Sequence, residues 1–209
     1  MDPLSTTTTT IAATVLSSSS GLRAYLPLFA LGIAVIAGVV PLEHGYEVLT
    51  NPLVLGALGV LSVLEIVADK VPAVDHVSDV IHTAIRPIMG GIIFANTDNL
   101  VSMHSGVAAA IIGGVLAGGV HGAKALSRPA VTATTVGMGN PVVSVIEDIV
   151  TIALVVLAIV VPAAALILLV LFVVLFVLIL RWAWRRLHRR KRQRAKVAGT
   201  GTSMGERGG

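Results

Sequence analysis

The chain has 209 residues, 55% of them hydrophobic and only 12% charged, roughly half the charged fraction of soluble domains, and this excludes a soluble globular fold. It holds no cysteine, which excludes disulfides, thiolate metal sites and a cysteine nucleophile. The net charge of +4 hides a division: ten Lys/Arg against one acid from Arg181 onward, and five basic residues against ten acids before it.

Reading from the N-terminus, Met1 to Thr10 has no basic residue ahead of the apolar region, so no secretory signal is predicted. A disordered segment over 1–10, a transmembrane domain over 11–180 and a largely disordered basic tail over 181–209 are expected. At about 20 apolar residues per membrane helix, the predicted spans are Ala12 to Val40, Pro52 to Ala68, Val74 to Ala95, Val101 to Ala123, Pro141 to Val161 and Ala163 to Leu180. Within the first, "SSSSGLRAYLP" places Ser20, Gly21 and Arg23 inside an apolar stretch. One reading is a helix broken at membrane depth, with these residues lining a cavity; the other is a leader ending at Ser20, with Arg23 at the headgroups. Asn51 and Asn140 read as N-caps, each followed by proline at the first helical position. The run "GVAAAIIGGVLAGGVHG" has the small-residue spacing that lets membrane helices approach closely, and it lacks the signature of a phosphate loop. As one helix, Val142 to Leu180 would be about 58 Å long against about 30 Å of hydrocarbon, so a turn at Pro162 is predicted. A single tilted helix is the alternative; it gives five spans and an outside N-terminus. The tail opens "RWAWRRLHRRKRQR", where Trp182 and Trp184 fit an interfacial belt and the arginines fit a cytoplasmic anchor touching anionic lipid rather than nucleic acid.

With the tail in the cytoplasm, inner connections carry Lys70, Lys124 and Arg128, and outer ones carry Glu43, Glu47 and Asp98. This predicts an inner-membrane protein with both termini cytoplasmic. Three strings recur in order: "SGLRA" and "SGVAA", "NPLV" and "NPVV", and "VPA" twice, at offsets of 85, 89 and 90 residues. Two units, about 17–97 and 101–180, with three spans each would sit upside down relative to one another. The fold class is all-α: a polytopic bundle of about six helices in two inverted repeats.

The polar chemistry gathers in "LEIVADKVPAVDHVSDVIHTAIRP". Asp75, Asp79, His82 and Arg86 are spaced four, three and four residues apart and share one helix face. A charge near the bilayer centre costs at least ~2.5 kcal/mol, so such a face turns inward and finds partners. Glu65, Asp69, Glu147 and Asp148 are expected at the same end, making an acidic site with Lys70, Arg86, Lys124 and Arg128 as counter-ions. Crowded carboxylates hold protons more tightly, which suits proton-coupled transport. Two plainer readings stand beside this one: acids favoured by a helix N-terminus, and a surface amphipathic connector. Asp75, His76, Asp79 and His82 are candidate metal ligands by residue type, without an HExxH spacing. His44, His104, His121 and His188 are isolated. No nucleophile, base and acid arrangement is evident, so neither an enzyme nor a cofactor is expected.

The strings "SGLRAYLPLFALG", "VLEIVADKVPAVDHVSDVIHTAIRPIMGG" and "GGVHGAKALSRPAVTATTVGMGNPVVSVIEDI" resemble a bacterial family of small membrane proteins defined as a domain of unknown function. The resemblance implies a multi-span inner-membrane protein. "EIVADK" is also similar to the Glu-x-Gly-Asp-Lys/Arg signature of cation/proton exchangers with inverted repeats, through Glu65, Asp69 and Lys70. It departs by one residue of spacing, by the missing glycine and by the lack of a second copy. The expected function is a small permease or exchanger, proton-coupled and handling a cation or small solute, as a monomer or a homo-oligomer. A membrane scaffold and a lipid-handling protein are the alternatives.

Overall fold

A computed structural model describes residues 3–40, 47–95, 106–135, 139–181 and 185, without the side chains at 3–6, 72, 73, 75–77, 130, 133 and 134. The elements are α1 (Pro3–Ser20), α2 (Leu26–Ile36), a 3-10 turn (Glu47–Thr50), α3 (Pro52–Ala68), α4 (Pro72–Ala95), α5 (Gly106–Thr135), α6 (Gly139–Val160) and α7 (Pro162–Arg181). There is no strand among the described residues. The stretch Gly106–Pro129 of α5, together with α6 and α7, is long and apolar enough to cross a membrane; α2 and α3 are shorter apolar helices. Large apolar side chains cover the outside, with Leu53 84% and Val80 75% exposed, while Arg23, Arg86 and Lys124 are at most 1% exposed. Only a lipid solvent makes this inverted distribution favourable. The protein is a helical membrane protein.

The small residues of α4 and α5 set how the bundle packs. A Cβ added to Gly90 would fall 2.7 Å from the carbonyl oxygen of Gly113, and one added to Gly91 would fall 2.8 Å from that of Ala110. The two helices therefore touch backbone to backbone and run antiparallel. Helix α1 lies across this pair: Ser17 Oγ donates to the Gly90 carbonyl at 2.9 Å, Ala13 packs with Phe94 and Ala109, and Gly21 abuts the Ala117 carbonyl. These levels make α1 parallel to α5 and antiparallel to α4. The chain then reverses, because Phe29 meets Gly59 and Gly32 meets Leu55, so α2 climbs back along α3.

This corrects three expectations. Ala12 to Val40 is not one span but two helices meeting at a reversal over 21–25. The first ten residues are helical from Pro3 rather than disordered. The N-terminal end of α1 lies level with the Ala95 end of α4, whereas α7 ends beside the start of α6, so the described ends of the chain sit at opposite ends of the bundle. The α6–α7 reversal follows from their shared apolar cleft of about 290 Å³. Val143, Ile146 and Val150 face Phe172, Leu175 and Ile179 there, at matched distances either side of Val161. Pro162 takes the first helical position, where its missing N–H leaves nothing unpaired.

Two local predictions part company. Asn51 caps α3, its Oδ1 accepting from the Leu53 amide at 2.9 Å. Asn140 does not cap α6, which already begins at Gly139; its Nδ2 donates to Thr132 Oγ1 at 3.0 Å. Helix α5 runs on through Pro129 to Thr135, so Lys124 and Arg128 lie on a helix and not in the inner loop predicted for them. Glu43, His44, Asp98, His104, Ser105 at the head of its repeat string, Trp182, Trp184 and the tail beyond Arg185 lie outside the described residues.

Candidate functional site: a buried ion-pair network

The network is organised by the break between α1 and α2. Four serines end α1, and buried hydroxyls of Ser19 and Ser20 bond back to the Leu16 carbonyl at 2.7 and 3.3 Å. This competition with helical backbone bonding favours termination. The following turn is closed by the amides of Leu22 and Arg23, both donating to Ser19 O at 3.0 Å. Backbone freed at membrane depth must find partners, and here it finds charged ones. The Ala24 amide donates to both oxygens of Glu65, at 3.0 and 2.9 Å, and Leu22 O lies 3.5 Å from Lys124 Nζ.

Arg23, fully buried, stands at the hub. Its Nη1 donates to Asp69 and its Nε to Asp148 Oδ1 at 2.6 Å; its Nη2 donates to Ser144 Oγ at 3.0 Å. Lys124 bridges Asp69 at 2.9 Å and Glu147 at 3.0 Å. Arg86 pairs with Glu65 at 3.1 Å and reaches Asp79 at 3.9 Å. Arg128 joins Asp79 at 3.2 Å and Asp69 at 3.4 Å. Lys70, 36% exposed, closes the rim on Asp148 at 2.8 Å. His121 contacts Arg86 through Nδ1 and Thr83 Oγ1 through Nε2 at 3.2 Å.

All five basic residues that precede Arg181 are in this one network, against five carboxylates: Glu65, Asp69, Asp79, Glu147 and Asp148. Among the described side chains the site expected to be acidic holds as many basic groups as carboxylates, because Arg23 joins it; Asp75, also expected there, has a side chain outside the described residues. Pairing matters because an unpaired charge in a low-dielectric interior is far more costly than a paired one. The positive charges of Lys124 and Arg128, expected to mark a cytoplasmic loop, are consumed internally and carry no such signal.

Of the predicted residues, Arg23, Glu65, Asp69, Asp79, His82, Arg86, Glu147 and Asp148 converge. Ser20 and Gly21 form the break itself and pack against their own helix and α5. The side chains of Asp75 and His76 lie outside the described residues. No three His, Asp or Glu side chains come together as metal ligands among the described residues. Glu147 and Asp148 are buried beyond the first turn of α6, too far in for the helix-terminus explanation. His121, Ser144 and Tyr25 were not singled out by sequence. Each is alone in its stretch, and only the crossing of α1, α5 and α6 brings them in.

Beside the network a cleft of about 240 Å³ opens between α3 and α4, lined by Tyr25, Leu61, Leu64, Glu65, Ile81 and His82 among others. The Tyr25 ring meets His82 edge-on, with centroids 5.7 Å apart. Three of the buried polar atoms here have no hydrogen-bond partner among the described residues: His82 Nε2, Asp69 Oδ1 and Arg86 Nε.

No curated protein and no solved structure matches the chain. A family model described as a domain of unknown function, DUF4126, matches residues 10–182, a range that takes in every residue of the network, and the chain belongs to that family.

Proposed function

We propose that the protein is a small permease or exchanger of the bacterial inner membrane, proton-coupled and cation-handling, and that the buried network is its working site. One observation carries the reading: ten oppositely charged side chains meet inside an apolar bundle at a break between two helices. On the gentlest scale each charge there costs at least ~2.5 kcal/mol, and charged residues at such depth most often mark a transport pathway. Broken helices whose freed backbone faces the site are a recurring part of secondary transporters. Because the described carboxylates are already paired with basic side chains, an entering cation exchanges with a proton or displaces one of those side chains. Lys124, shared between Asp69 and Glu147, and Arg86, shared between Glu65 and Asp79, are the cations whose divided partners suit that exchange.

Two further features support the reading. We read the chain as two inverted three-span repeats, about 17–97 and 101–180; the Asn51/Asn140 and Val71/Val161 strings, which lie at the starts of α3 and α6 and of α4 and α7, support that reading. An inverted pair of this kind permits one unit to rock against the other. A tail of ten basic residues against one acid favours the cytoplasmic face and anionic lipid, which puts the network half of the bundle toward the cytoplasm and the start of α1 toward the outside.

A scaffold reading draws support from a different observation: most of the network's charges are already compensated with no ligand bound. Reconstituted vesicles separate the two. A pH gradient imposed across a panel of cations and small solutes should drive solute-dependent proton movement; flat traces under both gradient polarities favour the scaffold.

A further inference from the structure

We propose that the cleft enclosed by α5, α6 and α7 is a binding site for one anionic phospholipid, with an acyl chain lying along the cleft and the phosphate against Arg181 at the end of α7. The inference goes beyond the permease reading and does not depend on it.

The cleft is shaped for a single hydrocarbon chain. Its walls follow α6 from Val143 to Val150 and α7 from Phe172 to Leu180, at the three- and four-residue steps that keep to one helix face. It therefore runs with the helix axes, over about 12 Å of α7, within the roughly 15 Å of hydrocarbon that one leaflet contributes. Nine of its eleven lining residues are apolar. The two polar ones are committed elsewhere: Ser127 Oγ donates to the Lys124 carbonyl at 2.7 Å, and Glu147 pairs with Lys124 Nζ at 3.0 Å. The volume is about 290 Å³. One turn of a partner helix, about 10 Å across and 5.4 Å long, takes up about 420 Å³, so neither a second copy nor a foreign span seats in it. Packed helices leave few such voids, and α7 is the element short of contacts here: 11% of its apolar span is buried in the protein, against 39% for α6. An acyl chain between them supplies the missing packing.

The charge at the mouth selects the headgroup. The lining ends at Leu180, and the next residue, Arg181, is exposed in the last turn of α7. Helix α7 has 20 residues, enough to cross about 30 Å of hydrocarbon, which puts Arg181 at the level of the phosphates. A guanidinium there offers a phosphate two parallel N–H donors. From Arg181 onward Glu206 is the sole acid against ten Lys/Arg, so a lipid with net negative charge is favoured over a zwitterionic one. Chain and headgroup are thus recognised by adjoining parts of one helix.

The test is native mass spectrometry of the purified full-length protein, stripped of lipid in a neutral detergent and titrated with dioleoyl phosphatidylglycerol, dioleoyl phosphatidylcholine or glycerophosphoglycerol, the anionic headgroup without its chains. Expected are one retained phosphatidylglycerol per protein chain and no retention of glycerophosphoglycerol. Phosphatidylglycerol should bind at least about fivefold more tightly than phosphatidylcholine, the ratio that one arginine beside an anionic headgroup supplies. Val143→Trp, which plugs the cleft, should abolish the one-to-one adduct; should that variant fail to fold, Leu175→Trp on the facing wall takes its place. Arg181→Gln should bring phosphatidylglycerol down to the level of phosphatidylcholine. Equal retention of the two lipids, retention of the headgroup alone, a protein dimer in place of the lipid adduct, or unchanged phosphatidylglycerol binding in a folded cleft-filled variant or in Arg181→Gln would each overturn the inference.

Discussion

At the residue scale, Arg23 supplies the fifth basic side chain among the described members of the cluster. Its guanidinium offers a planar fork of donors, and the structure uses Nε, Nη1 and Nη2 on three partners from α3 and α6. Removing it leaves Asp69 and Asp148 short of a buried partner, so Arg23→Ala should lower stability by about 3–5 kcal/mol, read as a reduced unfolding temperature in detergent. Arg23→Lys keeps the charge but cannot reproduce the fork, and should fall between Ala and wild type. The carboxylates of the network were legible in the sequence because each is an anomaly in an apolar run, and such a run gives a charge nowhere cheap to go but inward. His121 was not legible, since one histidine in a glycine-rich helix carries no spacing signal. Nor was the pairing of Arg23 with Asp148: the two are 125 residues apart in sequence, and nothing local says that they meet.

At the element scale, small residues and a proline do most of the shaping. Gly113 and Gly90 let α4 and α5 touch along their backbones, whereas Gly119 has nothing near its missing side chain. Gly113→Val should therefore disrupt the α4–α5 pair and sharply reduce the folded yield, while Gly119→Ala should be close to neutral, as fluorescence-detected size-exclusion chromatography of the two variants would register. The ends of α3 were readable because Asn51-Pro52 starts it and Asp69 closes it. The α1–α2 reversal was harder: hydropathy alone runs continuously from Ile11 to Val40, and only the serine run hinted at a break whose direction it left open. Helix α5 overran its predicted end because a proline within a helix can be accommodated by neighbouring groups in a membrane bundle. The turn at Val161 has a direct check in a chain that lacks cysteine. Cysteines at Val143 and Ile179 should cross-link readily, since both line the same cleft. One continuous helix would hold them about 54 Å apart and give no cross-link.

On the scale of the whole molecule, the bundle is polar inside and apolar outside, and its interior charge is concentrated toward the end where α3 meets α4 and α6 begins. That all-α membrane architecture was evident from composition, but the sidedness drawn from loop charges was not secure. Lys124 and Arg128 are spent on the interior, and the two described ends of the chain lie at opposite ends of the bundle rather than on one side. The proposed permease function requires the network to be a working site and not a structural fastening. The most direct measurement compares thermal stability with pH-gradient-driven flux in the same reconstituted preparations of wild type, Asp79→Asn and Glu65→Gln. A permease should give variants that remain folded, within a few degrees of wild type for Asp79→Asn, and lose nearly all flux. Variants that lose stability while the surviving folded fraction transports at the wild-type rate would contradict it.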